Sequence, residues 1–149
     1  KIGNGLITDS TRPTTFKKRY VVESQKLFRV SRLEEQNINT DVENQIISEL
    51  KKRSRDADGI GVADFVYGVI TPRILEAIYE LAKNETLLLF GDLQCSSQVG
   101  SVLRYKNFSL LCPNEREARL ALQDKDSGLE QLSQQLIQMA RSERLVTYK

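Results

Sequence analysis

Short, unbroken apolar runs alternate with segments of helical period along this chain. Thr86-Leu87-Leu88-Leu89-Phe90, Phe108 to Cys112 and Leu145-Val146-Thr147-Tyr148 read as strands buried on both faces, and Ile60 to Val62 reads as a shorter one. Between them lie helical patterns. Ile74, Leu75, Ile78, Leu81 and Ala82 mark one helix, capped by Thr71 and opened by Pro72. A second runs from Asn114 or Glu115 to Leu122. Asp126 or Ser127 leads into a third, with Leu129, Leu132, Leu136, Ile137 and Ala140 along one side. Strands separated by helix-length crossovers pair in parallel with right-handed connections. The expected fold class is therefore α/β, a parallel sheet with flanking helices.

The amino-terminal quarter departs from this pattern. Residues 1–18 are polar and read as loop or extended chain. Tyr20 to Arg32 alternates loosely around Glu23-Ser24-Gln25-Lys26, which predicts a β-hairpin. From Asn39 onward Thr40 or Asp41 can cap a helix in which Val42, Ile46 and Leu50 recur every fourth residue. The chain thus divides into a hairpin segment, 1–38, that acts as a flap, and an α/β portion, 39–149.

Composition narrows the chemistry. With 149 residues the chain can bury one real core. Its net charge of +2, from 22 basic and 20 acidic residues, gives no reason to expect a nucleic-acid partner. The run Leu87 to Phe90 is too short to span a membrane. Cys95 and Cys112 suit a reduced cytoplasmic thiol pair. Histidine is absent, which removes Ser-His-Asp and Cys-His catalysis and most zinc chemistry.

In open α/β sheets ligands bind beyond the carboxyl ends of the strands. Asp64, Asp92, the pair Asn114 and Glu117, and Thr147 fall there. Asn114 and Glu117 sit in the first turn of a helix, where unpaired N–H groups and a partial positive charge favour a phosphate or the waters around a metal ion. Their spacing equally fits a capping arrangement, and Asp92 after Gly91 equally fits a plain turn. Gly59-x-Gly61-x-x-Asp64 precedes or lies within a strand, so it is a poor dinucleotide fingerprint. The basic run Lys51 to Arg55 reads as a solvated helix end. Arg12, Lys17, Lys18, Arg19 and Arg29 crowd the hairpin, where they can meet a phosphorylated ligand or solubilise an edge.

Leu111 to Glu117 resembles the Asn-x-x-Glu motif of the ribokinase-like (PfkB) carbohydrate kinases. Thr11-Arg12-Pro13-Thr14-Thr15 with Lys17 and Arg19, then Gln25 to Arg29, is similar to the lid of the bacterial heptose-7-phosphate kinases. Asp64-Phe65 with Gly68 and Thr71 resembles their Asp-Tyr-x-Lys-Gly-x-x-Thr stretch. Asp92 falls where they have Asp-Pro-Lys, and Val146-Thr147 resembles the Val-Thr strand end beside the nucleotide. The pieces agree in order across essentially the whole chain.

This resemblance implies a ribokinase-like sheet and ATP-dependent phosphorylation of a sugar or sugar phosphate with Mg²⁺. Asn114, Glu117 and Thr147 would serve the nucleotide, Mg²⁺ and phosphates, with Glu117 reaching the metal through water. Arg12, Lys17, Arg19 and Asp64 would face the sugar. The lid segment offers a place for a homodimer. The family's Gly-Ala-Gly-Asp motif, which carries the catalytic base, is absent from these residues, so no catalytic residue is assigned. Tyr67 stands where the heptose kinases have Lys, and Leu93-Gln94 replace Pro-Lys. The expectation is an internal piece of a kinase, inactive by itself, whose sheet exposes apolar surface and self-associates. The alternative is a degenerate, non-catalytic module that binds a sugar phosphate or nucleotide.

Overall fold

The computed structural model describes residues 5–94 and 101–145. Strands β1 (Phe16–Val22) and β2 (Gln25–Arg32) form an antiparallel hairpin. Helix α1 (Thr40–Ser54) follows, then β3 (Gly59–Asp64), α2 (Pro72–Glu85) and β4 (Leu88–Leu93). A single 3₁₀ turn, Val102–Arg104, precedes β5 (Leu110–Leu111). Helices α3 (Glu115–Leu122) and α4 (Leu129–Ala140) lead to β6 (Arg144–Leu145). The four strands β3 to β6 lie side by side in chain order, every pair parallel. The expected parallel α/β sheet and the hairpin are both present.

Local chemistry explains the boundaries. Asn39, one residue before the two expected caps, accepts a hydrogen bond from Val42 N and starts α1. Thr71 caps α2 by accepting from Ile74 N, and Pro72 supplies the fixed φ of a first helical residue. The helix ends when Thr86 turns left-handed, at φ 57°. Thr86 therefore closes α2 instead of opening β4, which is why the strand starts two residues late; at its other end it runs on through Gly91 and Asp92 to Leu93.

The sheet buries one face. Leu89 and Leu93 of β4 point into the core, while Leu88, Phe90 and Asp92 alternate with them and stay exposed. The expectation that β4 is covered on both faces is not met among the described residues. Its burial has the period of a half-covered strand. On the covered side Val62, Ile74, Ile78, Leu89, Phe108, Leu111, Leu132 and Leu136 form the centre of one apolar cluster. Gly91 is a fitted part of it. A Cβ there would meet Leu111 Cδ2 at 2.8 Å and the Phe108 ring at 3.1 Å.

The hairpin is largely exposed. Its register sets Phe16, Lys18 and Tyr20 against Arg32, Val30 and Phe28 on one face. Tyr20 and Phe28 stack there with centroids 4.4 Å apart. The opposite face carries Lys17 and Arg19, paired with Ser31 and Arg29.

Candidate functional site

The parallel strands all end at one edge of the sheet, and α3 begins there, just past β5. Asn114 is its N-cap. The Asn114 side chain accepts from Glu117 N at 2.9 Å, and the Glu117 carboxylate accepts from Asn114 N at 2.9 Å. These reciprocal bonds are a complete capping box. Glu117 is buried and Asn114 exposed. The pair thus satisfies two backbone donors of the helix start while presenting its positive end to the carboxyl edge of the sheet. Capping and ligand binding are compatible uses of the same geometry.

Asp64, the last residue of β3, is also buried. One oxygen accepts from Val66 N at 2.8 Å. The other accepts from the Tyr105 hydroxyl at 2.5 Å and faces the Arg104 guanidinium at 3.4 Å. Arg104 also donates to the Ile70 carbonyl at 2.6 Å. Burial first, then the Asp64 bond and charge, push the Tyr105 phenol far above its usual range, so it stays protonated and donates. The Asp64 carboxylate is therefore engaged by three donors. Neither Arg104 nor Tyr105 stands out in the sequence: they lie in a non-periodic connection.

Arg12 is held just as firmly. Its guanidinium donates to the carbonyls of Glu34, Gln36 and Tyr67 at 3.1, 3.0 and 2.7 Å. It ties the chain leaving the hairpin to the loop after β3. Gly68 completes this junction with φ 73°, and a Cβ there would fall 2.0 Å from the Gln36 carbonyl oxygen. Ile38 N donates to Gly68 O at 3.0 Å. Lys17 reaches the same loop. Its ammonium lies 5.1 Å from the Phe65 centroid and 4.9 Å from that of Tyr67. Arg19 remains on the exposed strand β1, opposite Arg29. Thr71, besides capping α2, donates its hydroxyl to Glu43.

The structure therefore joins Asn114 to Glu117 and seats Lys17 on the loop beside Asp64. Thr147 and Cys95 lie outside the described residues. Asp92 is exposed beside Gln94, and burial, then the Asp92 charge, raises the Cys112 thiol pKa. Among the described residues no group of three or more His, Cys, Asp or Glu side chains is placed to hold a metal ion. A Mg²⁺ held largely by phosphates and water, with one carboxylate reached through water, needs no such group.

No protein-family model matches the chain. It is 29% identical over 126 residues to the bifunctional protein HldE of Helicobacter hepaticus, covering 82% of this chain and 25% of that protein. Against HldE of Wolinella succinogenes the identity is 30% over 117 residues, 78% of this chain and 24% of that one. The chain is a homologue of the HldE proteins. It spans about a quarter of their length. Its fold matches that of a phosphofructokinase-2 point mutant from Escherichia coli, with a TM-score of 0.60 at 14% identity over 80% of this chain and 40% of that one. The tetrameric inhibited form of phosphofructokinase-2 from Escherichia coli matches with a TM-score of 0.55 at 11% identity, over the same shares. Kinship with the ribokinase-like carbohydrate kinases is thereby borne out in sequence and in fold. No helix among the described residues is long and apolar enough to cross a membrane.

Proposed function

We propose that this chain supplies the phosphate-side layer of an ATP- and Mg²⁺-dependent kinase acting on a sugar or sugar phosphate in the cytoplasm. The observation that carries this reading is the Asn114–Glu117 pair, locked reciprocally at a helix start on the carboxyl edge of a parallel sheet. There the α3 N-terminus favours the charge of the nucleotide phosphates, and Glu117 orders Mg²⁺ through water. Thr147, outside the described residues, is assigned to the nucleotide on the resemblance alone. Lys17 and Arg19 lie on the hairpin face that meets the loop after Asp64, the side assigned to the sugar. These residues contain no Gly-Ala-Gly-Asp motif, so we assign them no catalytic base and expect no phosphoryl transfer from them alone. The exposed face of Phe16, Tyr20, Phe28 and Val30 supports a homodimer through the hairpin.

A second reading, a non-catalytic module that binds a sugar phosphate or nucleotide, draws on one contact. Tyr67 replaces the Lys of the heptose kinases, and its ring here engages Lys17. ATP turnover by the full-length protein separates the two readings. Glu117→Gln keeps a side-chain acceptor for the capping box and removes the carboxylate charge. In an active kinase it lowers turnover at least tenfold with a melting temperature close to that of the unaltered protein. Equal turnover removes Glu117 from the chemistry, and no sugar-dependent turnover in the unaltered protein favours the binding module.

A further inference from the structure

An open cavity lies away from the Asn114–Glu117 edge. Its volume is about 600 Å³, and it is lined by Tyr79, Ala82 and Lys83 of α2 and by Arg104, Lys106 and Asn107 before β5. Lys83 stands in the last turn of α2, which leads into the amino end of β4, and Lys106 and Asn107 precede the amino end of β5. The cavity therefore opens at the amino edge of the sheet, opposite the edge where α3 begins.

The lining has two characters. Tyr79 and Ala82 give an apolar floor, and the Tyr79 ring is fixed from beneath by an edge-on contact with Phe108, centroids 5.9 Å apart. The Tyr79 hydroxyl donates to Arg104 O at 3.1 Å and accepts from Lys106 N at 2.9 Å, so the wall opposite α2 is held in place. The rim is cationic. The Arg104 guanidinium is committed to Asp64 and Ile70. Neither Lys83 nor Lys106 joins any ion pair among the described residues, and no lining residue is acidic. Asn107 adds an amide at a left-handed position, φ 59°. Two unpaired ammonium groups and an amide over an apolar floor suit a dianion attached to a flat or apolar body. A phosphate monoester carries close to that charge at neutral pH.

We propose that the Tyr79–Lys83–Lys106 cavity binds a small phosphate monoester with a planar body, at a site separate from the carboxyl-edge one. The phosphate lies between Lys83 and Lys106, and the body rests against Tyr79 and Ala82. The Arg104–Tyr105 segment runs from this cavity to Asp64.

Phenyl phosphate is the probe, because it has the required ring and dianion but is neither a nucleotide nor a sugar. Titration into ¹⁵N-labelled protein should shift the amides of Ala82, Lys83, Lys106 and Asn107 saturably. The double variant Lys83→Gln/Lys106→Gln, which alters only exposed side chains, should bind at least ~10-fold more weakly, the factor expected for losing one good charged contact. Its unchanged amide spectrum away from the cavity will show that it folds. Inorganic phosphate and phenol should each bind more weakly than phenyl phosphate. No saturable shift at these four amides, equal binding by the double variant, or equal affinity for inorganic phosphate overturns the proposal.

Discussion

Lys17 of the hairpin holds its ammonium 4.9 Å from the ring centroid of Tyr67, in the loop after β3. The contact exists because an aromatic residue occupies a position where a lysine would repel Lys17. Replacing the buried ring by Tyr67→Lys should loosen the hairpin by at least roughly 1 kcal/mol, since lost ring burial and charge repulsion add to the lost cation–π contact. Hydrogen exchange at the β1 amides should then accelerate about fivefold or more. Tyr67→Phe, which keeps the ring, should leave exchange near the original rate. Equal acceleration by both variants would assign the effect to the lost hydroxyl and not to the ring contact.

Gly68 tolerates no side chain. Its φ of 73° and the 2.0 Å approach that an added Cβ would make to Gln36 O act together. Gly68→Ala should lower stability by about 2 kcal/mol or more, since strain and collision add. Denaturant unfolding measures this, and a loss under ~0.5 kcal/mol, the level of ordinary surface substitutions, would contradict it.

Asn114→Ala removes one half of the capping box and leaves Glu117 N without its acceptor. The expected cost is about 1 kcal/mol, and Asn114→Ser should recover most of it. Thermal unfolding of the two variants side by side checks the order.

Tyr105→Phe deletes the 2.5 Å hydrogen bond to the buried Asp64 carboxylate. The expected loss is about 1–3 kcal/mol, the usual result of under-satisfying a buried acceptor. In denaturant unfolding, the double variant Tyr105→Phe/Asp64→Asn should lose less than the two single losses combined, because the charge that needed the donor is gone.

The Thr71 hydroxyl first, and Arg73 second, hold the Glu43 carboxyl below its ordinary value of 4.5. A lowered folded-state pKa stabilises the fold above the unfolded value and loses that stabilisation as the pH falls through the folded one. Glu43 should therefore add to stability above about pH 4.5 and cease to do so in stronger acid. Glu43→Gln should flatten the acid limb of a stability-against-pH curve and leave the alkaline limb unchanged.

Much of the fold is legible in the sequence because its signals are local. Thr71-Pro72 announces a helix start, Asn114 and Glu117 announce a cap, and the apolar runs announce parallel strands. The end of α2 is less legible, since a left-handed Thr86 has no sequence signature as strong as glycine. The coverage of β4 is hidden too: a continuous apolar run does not say which face its neighbours occupy. Arg12 reads as a ligand cation in the sequence, and nothing there announces that its guanidinium also donates to three carbonyls, one of them 55 residues away. Arg104 and Tyr105 carry no sequence signal for the same reason. Long-range polar contacts leave no period to read.

Arg12 also sets a mechanical property. The hairpin it anchors is seven to eight residues long, so its tip lies roughly 23 Å from its base at ~3.3 Å per residue. A rotation of about 10° at that base would sweep the Glu23–Ser24 turn through about 4 Å over a lever of this length. One guanidinium gripping three carbonyls thus serves as the fulcrum of a long, lightly loaded arm, and small adjustments at residue 12 become large ones where the hairpin meets whatever lies beneath it.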